Sequence, residues 1–300
     1  MNLEKLNEIS QSQTSRIFYL DFRMRFLGTI TRNDLVNRFG IKEAAATRDI
    51  AFYRDMAPEN IEYDAALKMY VRKETFQPAF EHNSEQTLLA LTTGIGDDSM
   101  GIHKPLVSNE LPIPQSAPDV NVLTAITSAI HQKHPAEIEY CSTTSGFTTR
   151  TVVPFSLFSN GLRWYVRAYD RKRESFLDFA LTRTTKARML ADDNVTIQET
   201  READNQWNRI VDLELVPHPN EENLAHPETI ALDYHMSGGV LRLQVRAAIV
   251  GYLLRLWLVD CSENYRLKGN EYQLWLRNHP TLYGVESASL APGYKTEGEL

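Results

Sequence analysis

Two stretches of this 300-residue chain carry side chains whose types and spacing suit binding chemistry. The first is GLRWYVRAYD, Gly161 to Asp170. Read as a strand, its side chains alternate between two faces, with Trp164, Val166 and Ala168 on one side and Arg163, Tyr165, Arg167 and Tyr169 on the other. The apolar set belongs to a core. The Arg-Tyr row can hold phosphates with forked guanidinium hydrogen bonds and stack bases on its rings; it equally fits the solvated outer face of an antiparallel sheet. The second stretch is a helix from about Lys42 to Met56. Ala46, Ile50 and Tyr53 are spaced to face inward, which leaves Ala44, Thr47, Arg48 and Arg54 facing out. On a helix laid in a DNA major groove, Ala44 and Ala45 allow close approach and can touch thymine methyls. Thr47 can bond a base or a phosphate, and Arg48 can fork onto guanine. Lys42 at the helix start, with Lys68 and Arg72 on the hairpin that follows, would contact phosphates and set position, not sequence. Three-helix units also serve as protein docking modules, and an alanine-rich face also follows from helix propensity.

Histidines add little. His131 and His134 have a lysine between them, a proline after them and no cysteine or carboxylate close by. His218, His226 and His235 lie in a polar, loop-rich stretch. No metal site and no cofactor is expected from either set. The chain lacks a Gly-x-Ser-x-Gly elbow, a phosphate-cradling glycine loop after a strand and a His-Glu-x-x-His motif, so no enzyme is expected.

These residues must be positioned by the elements around them. Ser15 to Phe26 reads as a helix with Ile17, Leu20 and Met24 at core spacing. Thr31-Arg32-Asn33-Asp34 is a capping box that opens a second helix, which stops at Gly40. The third helix ends before Pro58, and Ile61–Tyr63 and Met69–Val71 flank a hairpin turn. A helix is expected at Ser84–Leu91, then a connector rich in Gly, Pro, Asp and Ser, then a helix from Asp119 to His134. Short β-rich runs follow at 138–143, 148–153, 162–169 and 176–183, the pattern of a small antiparallel sheet or barrel. From about Ala191 the character is mixed, with an alternating run at 240–245 and a helix at 247–257.

Composition narrows the class. The net charge of −7 argues against a nucleic-acid partner until it is divided along the chain. Residues 1–80 hold 12 Lys+Arg against 11 Asp+Glu, and the other 220 residues hold 20 against 28, so the acid lies outside the three-helix segment. The longest apolar run, Ala247–Leu258, is interrupted by Gly251 and Arg255 and is short of the roughly 20 residues of a membrane span. With no signal-like start, a cytoplasmic protein without membrane contact is expected. The two cysteines, Cys141 and Cys261, are far apart and are expected as reduced thiols.

GIKEAAATRDIAFYRDM resembles the turn and third helix of the winged helix-turn-helix of bacterial regulators, with Asp49-Ile50 as its Asp-hydrophobic pair. Lys42 stands where such helices carry a capping Ser or Thr. Arg150-x3-Pro154, Gly161-x2-Trp164-Tyr165-Val166 and Phe179-x-Leu181-x-Arg183 resemble the WYL domain, with Val166 for the Leu of the triplet and Ala180 where an Arg is frequent. RIVDLELVPHPN, VRAAIVGYLLRLWLVDCS and EYQLWLRNHP resemble the extension that follows WYL domains in regulators near phage-defence genes, such as BREX-associated repressors. The resemblance implies an α+β multidomain chain: a winged helix-turn-helix over 1–80, a helical connector over 81–134, a Sm-like β-barrel over 135–195 and a small α+β dimerisation domain over 196–300. It implies a homodimer that represses from an inverted-repeat double-stranded DNA operator. It places Arg150, Tyr165 and Arg183 in a pocket for a nucleotide or nucleic-acid fragment, to which strand position adds Ser142 and Arg167. The rival expectation is an accessory protein of a defence system that works through the barrel, with the helices used for docking.

Overall fold

The computed structural model describes residues 3–84, 87, 88, 91 and 117–295. The expected helix at Ser84–Leu91 falls only partly among them, and the connector up to residue 116 lies outside. Two compact units divide the chain near residue 195, the first holding 1–158 and 163–195, the second 159–162 and 196–300.

The first unit begins with helix α1, Gln11–Phe26, four residues longer than its apolar spacing indicates, because Ser10 caps it by accepting from the Gln13 N–H. After the short β1, Thr29–Ile30, helix α2 covers Arg32–Phe39. Its capping box is complete: the Thr31 hydroxyl accepts from the Asp34 N–H at 3.2 Å and the Asp34 carboxylate from the Thr31 N–H at 2.7 Å. Gly40 ends it at φ 61°, ψ 26°, a left-handed conformation open to glycine. Helix α3, Glu43–Met56, follows after two residues. Strands β2, Ile61–Asp64, and β3, Met69–Arg72, form the hairpin, and β1 adds to β3. Ile17, Leu20 and Met24 of α1 meet Ile50, Tyr53 and Met56 of α3 in a core of their own.

Helix α4, Val120–Gln132, leads into β4, Ala136–Ser142, β5, Gly146–Ser159, β6, Trp164–Asp170, β7, Ser175–Ala180, and β8, Thr184–Met189. The sheet order is β7-β6-β5-β4-β8. This corrects the expected Sm-like barrel: among the described residues β7 and β8 are the two edges and do not pair, so the sheet is open. The physical reason is α4. Its Val122, Leu123, Ile126 and Ala129 cover Ile138, Val152, Val166 and Ala168, so the apolar face is buried by a helix and does not need to close on itself.

In the second unit β9, Ile210–Pro217, is central between β10, Leu241–Arg246, and β11, Leu274–Leu276. Helix α5, Asn205–Asn208, precedes this sheet and α6, Pro227–Asp233, packs on β9. Helix α7, Ala247–Leu256, packs Val250 and Leu254 into a core with Val211, Leu213 and Leu215. Cys141 and Cys261 are both free thiols. Among the described residues no helix is long and apolar enough to cross a membrane.

Candidate nucleic-acid interface and the Arg-Tyr sheet face

Helix α3 divides cleanly into two faces. Ala46, Asp49, Ile50, Tyr53 and Met56 are buried, while Ala44, Thr47, Arg48, Ala51 and Arg54 are exposed. The exposed set recurs at the i, i+3, i+4, i+7 spacing of one helical stripe. Its two alanines keep the stripe low. Arg48 and Arg54 have no hydrogen-bond or ion-pair partner among the described residues, so nothing there competes for their donors. The Thr47 hydroxyl donates to the Glu43 carbonyl at 2.9 Å, which leaves its lone pairs and methyl for a partner. Ala45 is half-buried. Lys42 is exposed, extended, and gives the helix no side-chain cap; a cation at this end opposes the helix dipole, and an anion opposite would relieve it.

Two polar anchors fix the buried face of α3 to α1. The Asp49 carboxylate accepts from Arg16 at 2.6 and 3.3 Å and from Gln13 at 3.0 Å. Farther along, Asp21, fully buried, accepts from the Tyr53 hydroxyl at 2.6 Å and the Ala79 N–H at 2.9 Å, and lies 3.2 Å from His82. Asn60 donates to the Tyr53 oxygen at 2.9 Å and to the Gln77 carbonyl at 2.7 Å. Burial, then the Asp21 charge, pushes the Tyr53 phenol far up, so it stays a donor. The hairpin turn is set by Asp64, whose carboxylate accepts from the Ala66 and Leu67 N–H groups, and Lys68 sits exposed at the tip with φ 56°.

Arg72 is placed differently from the other expected phosphate contacts. Its guanidinium turns inward to the Met24 and Arg25 carbonyls at the end of α1, and burial lowers its pKa.

On the central sheet the structure separates the candidate pocket residues. Arg150 pairs in register with Ile138, on the face that carries Val152 and the core. It is 7% exposed and forms an ion pair with the fully buried Asp170. Tyr165 and Arg167 lie on the opposite face of β6. Arg167, 4% exposed, is bound to Asp178, its partner in the β6–β7 register, at 3.1 Å. Arg167 is therefore held in an internal ion pair, while Arg163, Tyr165 and Tyr169 of the same row are half-buried. Tyr165 stacks on Phe158 with ring centroids 5.1 Å apart and planes 10° apart. Burial raises its pKa, against the lowering pull of the Arg163 and Arg183 charges, so Arg183 lies within electrostatic reach of it. Arg183 itself sits half-buried in the 3-10 turn Leu181–Arg183. Ser142 ends β4 and accepts from the Thr144 and Ser145 N–H groups, holding the β4–β5 turn. Asp170 and Asp178 are not legible as partners from residue type alone, although the four-residue hairpin turn 171–174 sets the Arg167–Asp178 register.

The chain matches three family models in the order of these elements. They are the BrxR transcriptional regulator winged helix-turn-helix domain over 12–93, the WYL domain over 121–189 and the BrxR transcriptional regulator C-terminal dimerization domain over 210–282. The DNA-binding transcriptional repressor CapW of Escherichia coli is 30% identical over 282 residues, covering 91% of both chains. The chain belongs to the BrxR and CapW family of WYL-domain transcriptional regulators. CapW of Pseudomonas aeruginosa is 31% identical over 252 residues, 81% of each chain. CapW of Stenotrophomonas maltophilia is 28% identical over 259 residues, 83% of this chain and 84% of the relative. In the terms of the BrxR family, α1–α3 with the β2–β3 hairpin are the winged helix, α4 with β4–β8 the WYL domain, and β9–β11 lie in the dimerization domain.

Proposed function

We propose that this chain represses transcription from an inverted-repeat operator, of a phage-defence locus, by placing the α3 helices of a homodimer in two major grooves. Membership of the family makes it a DNA-binding transcriptional regulator that acts as a dimer. The observation that supports the docking geometry is the exposed stripe Ala44, Thr47, Arg48 on a helix pinned from behind by Asp49. Footprinting on the DNA upstream of its own gene tests it; binding no tighter there than to random duplex refutes it. Arg48→Ala should lose about 1–3 kcal/mol of discrimination at one base pair per half-site. Lys68→Asn, which suits the left-handed backbone at 68, should instead weaken all sequences alike and reduce the salt slope by about one per subunit. Equal loss of sequence preference from both changes would contradict this division.

For the effector, we place an anionic nucleotide or nucleic-acid fragment on the face of Tyr165, Arg167 and Arg183. Asp178 already occupies Arg167, so a phosphate there must displace a carboxylate, and its binding would free the β7 edge to shift. An effector with such differential contacts shifts the population between DNA-competent and incompetent dimers. Titrating short single-stranded oligonucleotides should release operator DNA from the wild type, and Arg183→Ala should raise the concentration needed by about tenfold or more, as for loss of one charge-assisted hydrogen bond. Unchanged release by that variant would remove the effector from this face.

A further inference from the structure

The end of α1 is built as a joint. A helix leaves its last carbonyls without internal partners, and here the carbonyls of residues 24–28 are taken up from two directions. From the wing, the Arg72 side chain donates to those of Met24 and Arg25, and the Arg72 N–H donates to that of Gly28 at 2.9 Å. From α4, the Thr127 hydroxyl donates to the Phe26 carbonyl at 2.7 Å, Ser128 to the same oxygen at 3.3 Å, and the Gln132 amide to the Leu27 carbonyl at 3.0 Å. Gly28 makes the approach close. Its φ is +79°, and a Cβ there would lie 2.4 Å from the Gln132 amide nitrogen.

Phe22 and Phe26 also pack with Leu123 and Ile126 across the same junction. That contact is apolar, and side-chain packing confines the angle between α1 and α4 only to within roughly 15–20°. The hydrogen bonds are directional and fix it. The lever is long: the 16 residues of α1 span roughly 24 Å. A pivot of roughly 10° at Gly28 would therefore swing the far end, where Asp49 of α3 is fastened, by about 4 Å. One base pair rises about 3.4 Å. The joint angle and the operator spacing are thus on the same scale.

The geometry points to the α1–α4 joint as the element that sets which spacing between two half-sites the dimer accepts, with Gly28, Thr127 and Gln132 as positioning residues that never touch DNA. This rests on the proposed binding of an inverted repeat. The experiment measures affinities of the full-length dimer for the footprinted repeat and for duplexes with its spacer changed by one or two base pairs. Wild type should prefer one spacer, losing about tenfold or more one base pair away, on the order of a mismatched base pair or worse. Thr127→Val combined with Gln132→Leu should still bind but flatten the profile, whereas Thr127→Ser, which keeps the hydroxyl, should retain it. A merely structural role would lower all affinities together and leave the profile sharp. A sharp profile in the folded double variant, or a flat one in wild type, overturns the inference while leaving DNA binding intact. Should the double variant fail to unfold cooperatively on heating, Gln132→Leu alone is judged by the same criterion. Absence of binding by wild type at any spacing would instead overturn the operator proposal itself.

Discussion

Gly251→Ala should lower the melting temperature of the C-terminal domain by roughly 10–30 °C and shift the dimer toward monomer, while the winged helix and central sheet stay folded. Gly251 lies inside α7, where an alanine would by propensity alone stabilise the helix by about 1 kcal/mol. Packing opposes this and is larger. A Cβ at 251 would lie 1.7 Å from the Ser287 carbonyl oxygen and 2.4 Å from its carbon, and backbone cannot rotate away as a side chain does. The 3-10 turn Glu286–Leu290 must then lift off α7, breaking the bond from the Gly251 N–H to the Ser287 hydroxyl at 3.0 Å and that from the Ser287 hydroxyl to the Ala247 carbonyl at 2.6 Å. Overpacking of this kind costs about 1–3 kcal/mol and each hydrogen bond about 1 kcal/mol more. The net loss of about 2–4 kcal/mol corresponds to a drop of roughly 10–30 °C in the melting temperature of a domain near 100 residues. Light scattering after gel filtration should find monomer or aggregate, and operator affinity should fall with it. A variant that is dimeric and melts within a few degrees of wild type would show that the turn moves without cost.

What the sequence discloses follows from how local each signal is. The capping box at Thr31, the stop at Gly40 and the helical spacing of Ile17, Leu20 and Met24 act within one or two turns, and the winged helix was legible from them. The first turn of α1 was not, because Gln11 to Thr14 are polar and only the Ser10 cap marks the start. Pro154 hid the length of β5. Proline argues against a strand interior, so the run was expected to end at Val153, yet the strand continues to Ser159. Strand β8 is not legible in the sequence, since Thr184–Met189 carries the polar Thr185, Lys186 and Arg188 and follows a 3-10 turn that reads as the end of β7.

The candidate sites were less legible than the elements. Trp164, Val166 and Ala168 did point to the core, but the charge state of the other face depended on Asp178, which only the hairpin register brings opposite Arg167. Arg72 read as a surface cation because its position on the wing is local, while its use, closing α1 across 47 residues of chain, is not. The open sheet has the same origin: closure or cover by α4 are equivalent solutions for an apolar face, and the alternation of β4 to β7 does not choose between them.

Asp49→Ala should abolish operator binding although Asp49 faces away from the groove. The carboxylate is 3% exposed and its main partner Arg16 is 15% exposed, so the pair is screened little by solvent. Removing one member leaves a guanidinium in a site made for an ion pair, and breaking such a pair costs about 3–5 kcal/mol. For a winged-helix unit of fewer than 100 residues that equals roughly 15–30 °C of melting temperature, enough to leave α3 unfolded under binding conditions. Circular dichroism of the full-length protein should show an early transition absent from wild type. The decisive comparison is Arg16→Met with Asp49→Leu. Exchanging both charges for apolar groups of similar volume is often neutral or stabilising, so this double variant should recover both the melting profile and sequence-specific binding. Recovery of folding without recovery of binding would mean that Asp49 or Arg16 acts on DNA directly, and the division of α3 into an anchoring face and a reading face would fall.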